Sequence, residues 1–97
     1  MMMVVVAYDV STLSDEGQKR LRRVARVCEN YGQRVQNSVF ECLVDAAKWI
    51  SVRSKLIAEI NAAEDSLRFY FLGDNWKGRM EHVGAKASYD PQGTLII

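Results

Sequence analysis

A single aspartate, Asp9, closes an apolar run that reads MMVVVAYDVS from Met2 to Ser11. Carboxylates bind divalent cations, and one fixed at the exit of a buried strand combines a rigid base with access to solvent. Tyr8 precedes it, and Val10, Ser11 and Thr12 follow. Asp and Ser at such a position also open turns by bonding nearby backbone amides, so the position alone allows either role. A second group lies downstream, where Lys19, Arg22, Arg23 and Arg26 fall at i, i+3, i+4 and i+7 with Arg20 beside them. That spacing lines cations along one face of a helix, and acids stand only at the ends of the stretch. A stripe of like charges is suited to a phosphate backbone.

Other chemistries lack their parts. His82 is the only histidine, no G-x-S-x-G is present, and the six glycines never form a phosphate-cradling loop. Cys28 and Cys42 are isolated, without the C-x-x-C spacing of a zinc site, and read as small core residues of a reducing compartment. The formal net charge of +1 and pI near 7.8 do not by themselves announce a nucleic-acid binder, so the location of the cations decides. Hydrophobic residues at 48% and charged residues at 26% fit a globular domain, and 97 residues fit one domain over 1–97. The N-terminal apolar run is too short for a bilayer and lacks a basic flank, which predicts no membrane association and a cytoplasmic location.

The elements that would position these residues follow from the patterning. Met2 to Ser11 reads as a central strand covered on both faces, because its valine-rich run is uninterrupted. Ser14 is a good N-cap, Asp15 and Glu16 suit a first helical turn, and Leu21, Val24, Ala25, Cys28 and Tyr31 recur at helical spacing. Gly32 stands where a C-terminal glycine would end that helix. Arg34 to Val44 alternates like a strand but is long for one. A bend or bulge near Asn37 and Ser38 is expected to divide it into two pieces that could pair with different neighbours. Asp45 caps a second helix with Trp49, Ile50, Arg53, Leu56, Ile57 and Ile60 at helical spacing, Trp49 serving as a core anchor. Asn61 to Ser66 reads as a polar connection, Leu67 to Leu72 as a strand, Gly73 to Gly78 with Trp76 as a turn, and Glu81 to Lys86 as a further strand. The apolar Thr94 to Ile97 is expected to add to a sheet edge, in this chain or in a partner.

This order fits a ferredoxin-like α+β sandwich, an antiparallel sheet with two helices on one face and a C-terminal edge strand. A valine-rich strand in such a sheet needs cover on its second face, and a second copy is the simplest cover.

Three segments together, VVVAYDVS, the basic helix, and GQRVQNSVFEC, resemble the CRISPR-associated protein two family, the small subunit of the spacer-acquisition machinery. The C-terminal GDNWKGRMEHVGAKASYDPQGTLII is similar to its subtype I-C branch. The resemblance implies a ferredoxin-like homodimer and a metal-dependent endonuclease acting on RNA or double-stranded DNA, with Asp9 as the key acid. Tyr8, Arg34, Ser38 and Phe40 match the rest of the family's motif. It also implies a dimer that bridges the CRISPR integrase subunit and holds duplex DNA through basic residues, here Lys19, Arg20, Arg22, Arg23, Arg26 and Arg34. One carboxylate is a poor site for magnesium, or for manganese in its place, whereas Asp9 paired with its copy across a two-fold axis would form one, with Arg34 clamping the phosphate. Two other classes compete: a DNA-binding scaffold that cuts nothing, and a toxin-like ribonuclease related in fold to the VapD proteins.

Overall fold

In the computed structural model of the chain, which describes residues 1–72 and 80–85, the elements run as β1 (Met2–Asp9), α1 (Asp15–Tyr31), β2 (Gly32–Gln36), β3 (Val39–Val44), α2 (Ala46–Glu59), β4 (Ser66–Leu72) and β5 (Met80–Gly84). The five strands form one antiparallel sheet in the order β2-β3-β1-β4-β5. This is the ferredoxin-like plan, with the valine-rich β1 at its centre and β5 added at one edge. The expectations for Gly73 to Gly78, Trp76, Lys86 and Thr94 to Ile97 lie outside the described residues.

Both helices begin at the caps the sequence supplies. Ser14 Oγ accepts from the Gly17 amide at 3.0 Å, and Asp45 Oδ1 accepts from the Lys48 amide at 2.7 Å. Each helix lays one apolar stripe on the same sheet face. Val24 and Cys28 of α1 and Trp49, Val52 and Leu56 of α2 are buried with Val4, Val6, Tyr8, Phe40, Cys42, Val44, Leu67 and Phe69. Trp49 anchors this layer edge-on to Phe69 at 4.8 Å and Phe71 at 5.7 Å.

Four expectations change in detail. Ile50 is 69% exposed, and Val52 takes the core position, because the sheet covers only one stripe of α2 and Ile50 lies about 100° away from it. Gly32 follows the helix in extended backbone (φ −159°), not as a left-handed cap, and already pairs with Cys42 as part of β2. A side chain there would meet the Glu41 carbonyl oxygen at 2.4 Å, so closeness of approach explains the glycine. The stretch after it divides at Asn37 and Ser38, but its halves form a hairpin with each other, with a register shift between Arg34 and Gln36, while β3 also pairs with β1. Finally, among the described residues of one chain, β1 is covered on one face only. Val4, Val6 and Tyr8 point into the helical layer and are buried, whereas Met3, Val5 and Ala7 are half-buried.

The uncovered face has an ordered composition. Across it, Met3 lies between Leu43 and Leu72, Val5 between Glu41 and Tyr70, Ala7 between Val39 and Arg68, and Asp9 opposite Ser66. Leu43 and Leu72 are 56% and 50% exposed. The face is therefore apolar at the start of β1 and polar at its end.

Candidate active site

The period of two along a strand decides which side chains can act together. Asp9 ends β1, and its register with Ser66 places it on the face away from the helices. Arg68, two residues along β4 from Ser66, lies on the same face opposite Ala7. Ala7, Tyr8, Asp9, Ser66 and Arg68 line an open depression of about 200 Å³. His82 of β5 stands opposite Arg68, its Nε2 3.2 Å from the Gly84 carbonyl oxygen.

Tyr8, Arg34, Ser38 and Phe40 are brought together too, but around the hairpin turn, with Tyr8, Arg34 and Phe40 on the helix side of the sheet. The Tyr8 hydroxyl and Arg34 Nη1 both donate to the Asn37 carbonyl oxygen, at 3.3 and 3.0 Å. The Tyr8 amide donates to the Ser38 carbonyl oxygen at 3.1 Å. Phe40 stacks on Tyr8 at 6.2 Å, and the Arg34 guanidinium lies 4.9 Å from the centre of the Phe40 ring. Glu29 of α1 completes the group 3.3 Å from Arg34. Burial raises the Tyr8 hydroxyl above its ordinary pKa, with Arg34 offsetting part of the rise, so Tyr8 is a hydrogen-bond donor at neutral pH and not a base. These four residues fix the turn beside the end of β1, while Asp9 leaves on the other face.

The cationic helix also divides. Arg20 is drawn inward, its Nε 2.8 Å from Asp65 Oδ2 and its Nη2 3.3 Å from Glu64 Oε1, and Arg23 pairs with Glu59 at 2.8 Å. Lys19, Arg22 and Arg26 are exposed and form no ion pair among the described residues. Cys28 and Cys42 are buried and free, and burial pushes the Cys28 thiol up to about 12, which makes it inert as a nucleophile.

Among the described residues no cluster of three or more His, Cys, Asp or Glu side chains could hold a metal ion. One chain thus offers Asp9 with the neighbouring Ser66 hydroxyl, a set too small to enclose a divalent cation. Ser66 and Arg68 were not apparent from sequence as site residues. The alternation of Leu67, Phe69 and Phe71 puts Arg68 on the opposite face, but only the β1–β4 register places it beside Asp9.

Residues 2–80 match the family described as CRISPR associated protein Cas2. The chain is 60% identical over 96 residues to a Chlorobaculum tepidum protein named CRISPR-associated endoribonuclease Cas2, covering 99% of this chain and 100% of that one. It is 54% identical over 96 residues to a Halalkalibacterium halodurans protein named CRISPR-associated endonuclease Cas2, with coverage of 99% and 100%. The crystal structure of Streptococcus pyogenes Cas2 superposes with a TM-score of 0.70 at 53% identity, over 86% of this chain and all of that one.

Proposed function

The chain belongs to the CRISPR-associated Cas2 family, and from that premise we propose that it is a homodimeric, metal-dependent endonuclease in which two Asp9 carboxylates meet across the uncovered sheet face. The observation that carries this reading is the placement of Asp9. It sits at the polar end of the open face, on the central strand, in a depression with Ser66 and Arg68. Packing a second copy on the Met3, Leu43 and Leu72 end would remove that apolar surface from water and bring two polar ends into one interface.

The residues fit a magnesium or manganese ion only as such a pair, since a single Asp9 gives too few oxygens. When bound, the ion supplies Lewis acidity toward a phosphate and acidifies water. Asp9 from each copy would hold it, and Arg68 would take a non-bridging phosphate oxygen on the same face. Arg34 Nη1 donates to the Asn37 carbonyl oxygen on the helix side, so in this reading Arg68 takes the phosphate clamp expected of Arg34.

In spacer acquisition the same dimer would bridge copies of the integrase subunit and hold duplex DNA through Lys19, Arg22 and Arg26. The resemblance of the C-terminal segment supports an assignment to the subtype I-C branch. A non-cutting scaffold is the second reading, supported by the exposed Lys19, Arg22 and Arg26, which can hold a duplex without any metal site. Asp9→Asn separates the two. Endonuclease action predicts loss of magnesium- or manganese-dependent cleavage of labelled RNA and duplex DNA by about 100-fold or more, with DNA binding unchanged. Equal cleavage by variant and wild type removes the catalytic assignment.

A further inference from the structure

Asp65 is buried, with 0% exposure, and its carboxylate is fully engaged. Oδ1 accepts from the Ser11 amide at 3.0 Å, and Oδ2 accepts from the Asn61 amide at 2.8 Å and from Arg20 Nε at 2.8 Å. Its backbone carbonyl accepts from the Ala85 amide at 2.8 Å. One residue therefore ties the exit of β1, the helix α1, the end of α2 and the end of β5. Its position in the chain matters as much. Asp65 immediately precedes Ser66, the register partner of Asp9, and its carboxylate holds Ser11, two residues after Asp9. The Asp9–Ser66 pair is bracketed on both strands by the same side chain. From the other side α1 packs close to Ser11, where any side chain at Gly17 would collide with the Ser11 carbonyl oxygen.

We propose that Asp65, with Arg20 behind it, is the positioning residue that fixes the direction of the Asp9 carboxylate. This rests on the reading of Asp9 as the acid of the site. Without the bond to Asp65, the Ser11 backbone loses its anchor, buried Val10 alone holds the exit from the core side, and the polar end of β1 loosens. Asp9 is the last residue of that strand, so its side chain would be the first to lose a defined direction. Arg20 thereby has a role different from the other cations of its helix, since its charge is spent on Asp65 rather than offered to a phosphate.

Asp65→Asn removes the charge that Arg20 needs, and Ser11→Pro removes the amide donor while leaving Asp65 and Arg20 intact; Ser11→Ala, which keeps the amide, controls for the lost hydroxyl. Each variant is compared with wild type for manganese-dependent cleavage of labelled RNA and duplex DNA, and the Asp9 carboxyl resonance is followed by NMR. A displaced catalytic group costs about 10- to 100-fold. The expected result is such a loss in kcat with KM changed less than about two-fold, and a shifted, broadened Asp9 carboxyl resonance in a protein that still melts cooperatively. If Asp65→Asn does not fold, Ser11→Pro decides. A folded Ser11→Pro protein with wild-type kcat overturns the proposal. Should the wild type cleave neither substrate, the nuclease reading fails, and the Asp9 resonance judges the clamp: unchanged in Ser11→Pro, it overturns it; shifted, it upholds it.

Discussion

At the residue scale, the Asp65 cluster predicts how the chain responds to acid. Burial disfavours the ionised carboxylate, yet Arg20 and the Asn61 and Ser11 amides outweigh it and hold Asp65 below the usual carboxylate range. Arg53 does the same for Glu81, with bonds of 2.9 and 2.6 Å. A depressed pKa in the folded state means that the unfolded chain takes up the proton first as pH falls. The stabilisation is complete above the unfolded value, about 3.9 for an aspartate, and disappears as pH drops through the lower folded value. Urea midpoints should therefore be level near neutrality and fall below about pH 4. Asp65→Asn should cost about 3 kcal/mol at neutral pH, because Arg20 is left without its buried partner, and should flatten the acid limb. An unchanged acid limb would show that other carboxylates control it. This cluster also marks where sequence reading stops. Asp9, Ser14 and Asp45 declare themselves through their immediate neighbours, but Arg20 and Asp65 are 45 residues apart, and Asp65 looks like one more polar residue of a connection.

At the scale of elements, the α1 stripe shows the same boundary in another form. Helical spacing was enough to put Lys19, Arg22, Arg23 and Arg26 on one face, and the structure keeps them there. It could not show that Glu59 reaches across from α2 to neutralise Arg23, leaving Lys19, Arg22 and Arg26 as the cations open to a phosphate backbone. Each phosphate contact releases counterions and contributes about 0.9 to the slope of log affinity against log salt. Replacing Lys19, Arg22 and Arg26 together by glutamine should lower that slope by about 2.7, while Arg23→Gln should change it by less than about 0.5. Fluorescence anisotropy of a labelled duplex over a salt series measures both. Equal effects from Arg23 and from any one of the three would mean that the Arg23–Glu59 pair opens on binding. The hairpin is a related case. Alternation identified both of its strands, but the pairing of β2 with β3 depends on Arg34, Asn37 and Tyr8 meeting around one carbonyl group, which no local pattern encodes.

At the scale of the whole molecule, the proposed dimer would link assembly to activity through the open sheet face. A chain of 11.0 kDa with Leu43 and Leu72 half-exposed on one side of its central strand gains by covering them, and the same packing decides whether the two Asp9 carboxylates can meet. Putting Glu at both Leu43 and Leu72 should leave the helical layer intact and convert a particle of twice the chain mass to one of the chain mass in sedimentation. Mixing then tests whether the pair is the working unit. If each site needs Asp9 from both copies, wild type equilibrated with an equal amount of Asp9→Asn protein forms about half mixed and about a quarter all-variant dimers, neither of which can hold the ion. Cleavage should fall to about a quarter of the rate of an all-wild-type sample at the same total concentration. If each Asp9 acts within its own chain, the same mixture should keep about half. A rate that follows the square of the wild-type fraction makes the dimer the catalytic unit, and a linear dependence would return the chemistry to the depression that Asp9, Ser66 and Arg68 form in one copy.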